Sequence, residues 1–309
     1  MKVFITGATG YIGFAVAQAL RRAGDEVYGL TRKSDKISLL LQNEIRPVIG
    51  SMQHPASYAH LAAQCDILVH AAVDSQESDR AGLEQKTIET LIAAGQHEPK
   101  PKLFIYTSGV WVYGNSGRQP VDEATPLTPA KSVAWRPVME QLVLSATTVR
   151  GLVLRPGCVY GKQGGLTGMW FSRAYSGQAL QVVGDGDNYW AMVHVDDLAA
   201  AYVLAAHSRY SREIFNLADH SRATIREMAT AAARASGNNI DIEFIPVATA
   251  AKTLGDFAEC LALDQHLNSN KATQHLGWQP QHTGFVSEAE TYFQAWKAAQ
   301  SQDFIIAPE

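Results

Sequence analysis

Apolar and polar positions along the chain follow two alternating rhythms. Short, nearly solid apolar runs stand at residues 2–6 (KVFIT), 26–30 (EVYGL), 46–49 (RPVI), 66–72 (DILVHAA), 102–108 (KLFIYTS) and 150–156 (RGLVLRP). Their length and β-branched content predict buried strands. Between them, segments 11–23, 55–63, 80–97 and 131–146 space their apolar residues as amphipathic helices do. Strand alternating with helix predicts an α/β fold, a doubly wound parallel sheet covered on both faces. From about residue 157 the rhythm changes. Gly and Pro punctuate PGCVYGKQGG and VVGDGDN, and helices are expected near 166–177, 196–207, 223–235 and 286–299, joined by brief strands. The expected division is a nucleotide-binding part, 1–156, and a smaller, mostly helical substrate lobe, 157–309, with chain crossings back to the sheet.

Charge and cysteine usage narrow the function classes. With 26 Lys and Arg against 30 Asp and Glu, and no basic run longer than two residues, a nucleic-acid surface is not expected. The longest apolar run, Leu198 to Ala206, is too short to span a bilayer. The N-terminal MKVFITGATG enters a strand pattern directly, so no leader is expected. Cys65, Cys158 and Cys260 lie far apart without C-x-x-C spacing, which argues against a disulfide framework or a metal site and fits a reducing cytoplasm.

The first chemistry appears in VFITGATGYIGFAVAQAL. Gly7, Gly10 and Gly13 follow a strand and open a helix. Gly7 permits the tight turn, Gly10 lets backbone approach a pyrophosphate, Gly13 allows close packing of helix on sheet, and the helix start favours the anion. A dinucleotide site of Rossmann type is expected. The second strand ends in Thr31, Arg32, Lys33 and Ser34, where an NAD site offers a carboxylate. Cations there suit a 2′-phosphate, so NADP is expected over NAD.

The chain resembles the extended short-chain dehydrogenase/reductase superfamily, which includes NAD-dependent epimerases and dehydratases. TGATGYIG, DILVHAA, FIYTSGVWVYG, VLRPGCVYG, VVGDGDNYWAMVHVDDLAAAYVLA, FNLAD and HLGWQP carry the resemblance, almost end to end. It implies a cofactor held by Gly7, Thr9, Gly10, Tyr11, Ile12 and Gly13, by Arg32 and Lys33, by Ala71, Thr107 and Pro156 at strand ends, and by Arg136. It also implies a homodimer through the helices 80–97 and 131–146, whose apolar faces (Leu83, Ile88, Leu91, Ile92; Val138, Leu142, Val143) serve equally to cover the sheet.

In that family a Tyr-x-x-x-Lys pair follows strand five, with a Glu four residues after the Lys. The Tyr is the acid and base, the Lys holds the nicotinamide ribose, and a strand-five Ser or Thr binds the substrate oxygen. Anchored on Glu140, the Lys position is Arg136 and the Tyr position is Ser132. Anchored on Tyr113-Gly114, the Ser position is Gly109, with Ser108 one residue earlier. No tyrosine stands between Tyr113 and Tyr160. A phenol near pKa ~10 is tunable by a neighbouring cation. Ser132 is a far weaker acid. Arg136 keeps its proton, yet still donates to ribose hydroxyls. Pro137 fits the first turn of a helix, so the helix is expected to start near Trp135, and Trp135 could then face the nicotinamide in place of Ser132. Candidate catalytic residues are therefore Ser108, Ser132, Arg136, Tyr160 with nearby Lys162, and His194 beside Asp196 and Asp197. Trp111, Trp135, Tyr160, Trp170 and Trp190 are expected around an apolar substrate pocket.

Three readings remain open. One is an atypical NADP(H)-dependent oxidoreductase acting on a small, hydrophobic carbonyl or alcohol. A second is a redox-silent NADP-binding sensor or regulatory protein. A third is a non-redox lyase, isomerase or cyclase on the same fold.

Overall fold

The structure is a computed structural model describing residues 1–96 and 101–302. Seven parallel strands form the main sheet. Across it they run Glu213–Leu217, Arg150–Pro156, Leu103–Thr107, Ile67–His70, Lys2–Thr6, Glu26–Thr31 and Arg46–Ile49. The chain order reverses beside Lys2–Thr6, and this switch point is where an open α/β sheet places its ligand.

Alternation within each strand divides the core. Val3 and Ile5, Leu103 and Ile105, Leu152 and Leu154 face one side, with Val16 and Leu20 of helix Tyr11–Arg22 and Leu198 and Tyr202 of helix Val195–Ala206. Phe4, Phe104, Tyr106 and Val153 face the other, against Ile88 and Leu91 of helix Arg80–Gly95 and Met139 and Val143 of helix Arg136–Ser145. Period-two strands buried on both faces explain the nearly solid apolar runs.

Several segments from beyond residue 156 belong to this body. Strand Glu213–Leu217 pairs with Arg150–Pro156 in parallel register, and helix Val195–Ala206 packs on helix Tyr11–Arg22. Val159, Val193, Ala272, Leu276 and Trp278 are buried in the same core. Much of the remaining second half has a core of its own, where Trp170, Phe171, Trp190, Met228, Phe285 and Tyr292 are buried.

Several expected bounds shift. Segment 55–63 breaks into a 3-10 turn, Pro55–Ser57, and one helical turn, Ala59–Ala62. Segment 131–146 divides into a 3-10 turn, Lys131–Val133, and helix Arg136–Ser145, with Trp135 at the cap and Pro137 in the first turn. Proline's missing N–H is harmless there. The expected helix end at residue 97, and the lobe's last residues 303–309, lie outside the described residues. No described helix is long and apolar enough to cross a membrane.

Candidate active site

The strand Lys2–Thr6 turns into its helix at Gly7, whose φ is +75°. A Cβ there would lie 2.5 Å from the Ala71 carbonyl oxygen, and one at Gly13 would enter the Gly7 carbonyl. The loop therefore lies flat against strand Ile67–His70. Gly10 caps the helix, and no side chain occupies the cap, which leaves the helix start open to a ligand. The adjoining cleft, about 420 Å³, has Gly7, Thr9, Gly10, Tyr11, Ile12, Arg32 and Ala71 in its walls. A glycine-walled cradle of this kind fits a pyrophosphate.

At the far end of this cleft, Arg32 Nη1 donates to Asp74 Oδ2 at 2.5 Å. The Asp74 carboxylate is buried and also accepts from Gln53 Nε2 and from the Gln76 backbone. Gln53 first, then the Gln76 amide, holds its carboxyl below the usual range, and Arg32 adds to this. Sequence reading missed Asp74 because 42 residues and an intervening strand separate it from Arg32. Lys33 is exposed and stands outside the cleft wall.

A second hollow, about 330 Å³, adjoins the first and shares Tyr11 and Ile12 with it. Ser108, Gly109, Trp111, Arg136 and Pro156 line it, together with Val110, Val133, Cys158 and Leu166, which sequence reading did not single out. Arg136 Nη1 donates to the Thr107 carbonyl oxygen at 3.0 Å, and its guanidinium lies over the Trp135 ring. Thr107 itself turns its hydroxyl to Tyr202.

Ser108 is in the wall, but its hydroxyl donates to Glu140 Oε1 at 2.5 Å. Glu140 receives Arg155 on both oxygens, and Arg155 also donates to the Tyr113 hydroxyl, which donates to Asn216. All five side chains are buried. This network ties helix Arg136–Ser145 to three separate chain segments, and a buried charge so paired fixes geometry.

The remaining candidates are held elsewhere. Ser132 lies on the 3-10 turn and points to Cys260 Sγ at 3.0 Å; its neighbour Val133 takes the place in the wall. Trp135 packs with the sheet-covering core and is outside the wall. Tyr160 is fully buried, donates to Asp219 Oδ2 at 3.0 Å, and packs edge-on to His194, Phe285 and Tyr292. Burial drives its pKa far upward. Lys162 pairs with Asp196. His194 caps helix Val195–Ala206 by accepting from the Asp196 amide, and its ring stacks on His282 with centroids 3.5 Å apart. Burial first, and then His282, push its pKa down to about 4, so it is neutral at pH 7. Trp170 and Trp190 stack on each other inside the second core. The geometry thus brings together Ser108, Trp111, Arg136 and Pro156, and sets Ser132, Tyr160, His194, Trp135, Trp170 and Trp190 behind or beside the hollow.

Comparison with known proteins follows the same outline. A ketoreductase of Stigmatella aurantiaca, named for a 4-hydroxy-2-methyl-3-oxo-4-farnesyl-3,4-dihydroquinoline-1-oxide, is 28% identical over 272 residues, which cover 83% of this chain and 80% of that protein. The dTDP-glucose 4,6-dehydratase of Bacillus anthracis, solved with NAD, superposes with a TM-score of 0.82 at 19% identity over 97% of this chain and 98% of that one. The human epimerase family protein SDR39U1, solved with NADPH, gives a TM-score of 0.76 at 23% identity over 95% and 99%. The model of the NAD dependent epimerase/dehydratase family matches residues 3–218, well over half of the chain, and the protein belongs to that family.

Proposed function

We propose that the protein is an NADP(H)-dependent oxidoreductase acting on a small, apolar carbonyl compound or the matching alcohol. The observation that carries this reading is that the two hollows share Tyr11 and Ile12 in their walls: a cradle for a pyrophosphate lies beside an apolar hollow of substrate size. When bound, the nicotinamide supplies a hydride to the carbonyl carbon and is itself oxidised. The chain's own part is to orient. Pro156, Val110 and Trp111 exclude water, Arg136 fixes the polar side of the enclosure, and the proton reaches the carbonyl oxygen from water. General-acid help is worth roughly 10²–10⁴-fold. An enzyme without the family's tyrosine is therefore slow rather than inert.

NADP is favoured over NAD because Arg32 stands at the ribose-reading turn, held in place by Asp74, with Lys33 beside it. A 2′-phosphate gains charge-assisted bonds at such a site. We also propose that two copies pair through helices Arg80–Gly95 and Arg136–Ser145, where Val138 is 63% exposed beside Leu142.

Fluorescence titration with NADPH and NADH, followed by a panel of small ketones and aldehydes read at the nicotinamide absorbance band, tests the reading. Tighter binding of NADPH, and its consumption with at least one carbonyl, are expected. Equal affinity for the two cofactors removes the NADP preference. Tight binding with no turnover moves the conclusion to a redox-silent NADP-binding protein. That second reading is favoured by one observation: among the described residues, the enclosure's wall holds no carboxyl, imidazole or free phenol, since the Tyr11 hydroxyl is spent on the Gly161 carbonyl.

A further inference from the structure

The enclosure has one charge in its wall. Among its lining residues only Arg136 is ionised, and the surfaces around it are Val110, Trp111, Val133, Pro156 and Leu166. One of the five guanidinium N–H groups is used, by the Thr107 carbonyl oxygen. Among the described residues no carboxylate forms an ion pair with it. Of the acids on neighbouring elements, Glu140 is engaged with Arg155 and Ser108, and Asp196 with Lys162. Glu84 stands 3.3 Å from His70 Nε2. A guanidinium cannot shed its proton to escape this setting. A cation that is half-buried beside apolar walls gains most from a ligand that carries the missing negative charge.

The resemblance gives Arg136 a neutral target, the ribose hydroxyls. The chemistry of the wall favours another. A planar fork with free N–H groups matches a carboxylate in two parallel hydrogen bonds, which the lysine usual at this position does not offer. We propose that Arg136 reads the substrate, and that the substrate is an oxo acid: a small carbonyl compound whose hydrocarbon part lies against Trp111, Val133 and Leu166 and whose carboxylate lies on the Arg136 guanidinium. The inference rests on the oxidoreductase reading for its carbonyl and on Arg136 for its carboxylate. In the reduction, the hydride from NADPH goes to the carbonyl carbon and a proton from water to its oxygen. NADP⁺ leaves, and the carboxylate is unchanged.

The experiment pairs 3-methyl-2-oxobutanoate with its methyl ester, which differ in charge and little in shape. NADPH affinity is measured by fluorescence in the wild type, Arg136→Gln and Arg136→Lys. Binding of 2-methylpropanoate, which has no carbonyl to reduce, to the NADP⁺ complex is measured by calorimetry. The wild type is expected to prefer acid to ester by roughly 30-fold or more in kcat/KM, the loss typical when a buried charge pair forfeits one partner. Arg136→Gln is expected to collapse that preference, mainly through KM, and to abolish 2-methylpropanoate binding while NADPH still binds. Arg136→Lys is expected to keep part of both. Equal use of acid and ester by the wild type overturns the proposal. So does an Arg136→Gln variant that loses NADPH affinity and leaves the acid-to-ester ratio intact, because Arg136 then serves the ribose. Failure of the oxidoreductase reading looks different: 2-methylpropanoate binds in an Arg136-dependent way, and neither carbonyl is reduced.

Discussion

Gly109 occupies the position where the resembled family keeps a hydroxyl, and nothing in its backbone demands glycine. Its φ of 175° is extended, and the nearest atom to an added Cβ is the Pro156 carbonyl oxygen at 3.9 Å. Gly109→Ser is therefore expected to fold with an unchanged or slightly raised Tm. Removing glycine from such a site stabilises by about 0.4–1 kcal/mol through the unfolded chain. A thermal scan checks this, and a fall of several degrees would contradict it. Gly7 is the opposite case, since its positive φ and the Ala71 carbonyl leave no room for a side chain. The Arg32–Asp74 pair leads to a second expectation. Asp74→Asn keeps the shape and releases the charge that aims Arg32, so the Kd for NADPH should rise several-fold while that for NADH moves little. Cofactor titration of the variant decides it, and a parallel change for both cofactors refutes it. That Gly109 stands where the hydroxyl belongs was readable along the chain; the partnership of Asp74 with Arg32 and the open space around Gly109 were not. A sequence lists residue types, whereas these two facts depend on which strand lies beside which.

Helix starts carry much of the chemistry, and they differ in how well sequence announces them. The start at Arg136 was readable because Pro137 tolerates only the first turn. The preceding turn was not. The expected register put Ser132 toward the cofactor, yet the 3-10 turn rotates it onto Cys260 and leaves Val133 inside. A shift from 3.6 to 3.0 residues per turn over a few positions suffices to exchange neighbours. At the start of helix Val195–Ala206, His194 is a cap, with a titration that matters for stability. In the unfolded chain an imidazole titrates near ~6.5, and in the fold His194 does so at about 4. Between these values the unfolded state binds the extra proton. Stability is thus fully present above ~6.5 and falls as pH drops toward 4, by about 2 kcal/mol between pH 7 and pH 5. Urea unfolding at the two pH values should show the loss. His194→Asn, which keeps a cap acceptor and removes the titration, should flatten it. An equally steep pH dependence in the variant assigns the effect to other groups.

At the scale of the molecule, the fold was legible because the central strands are apolar on both faces and most helices on one, a pattern that a segment displays by itself. The site was legible only where it is local, as in the glycine loop and the strand-five turn. Its other half is built from contacts between distant segments: Ser108 with Glu140, Glu140 with Arg155, Tyr113 with Asn216. Association is a further matter of the whole. Ile88, Leu91 and Val143 are spent on the sheet, which leaves a narrow strip around Val138. Light scattering at micromolar concentration is expected to show a dimer that Val138→Lys disrupts, and a wild-type monomer would rule it out. The return of the late segment Glu213–Leu217 to the sheet has a practical consequence for anyone wishing to produce the cofactor-binding half alone. Cut after residue 156, the polypeptide would display an uncovered strand with a full row of vacant amides and carbonyls, a ready template for stacking copy on copy. It would also bare the flank of helix Tyr11–Arg22 that Leu198 and Tyr202 now shield. Such a fragment is expected to accumulate as inclusion bodies, whereas a version that grafts 195–217 back through a short linker should stay in solution.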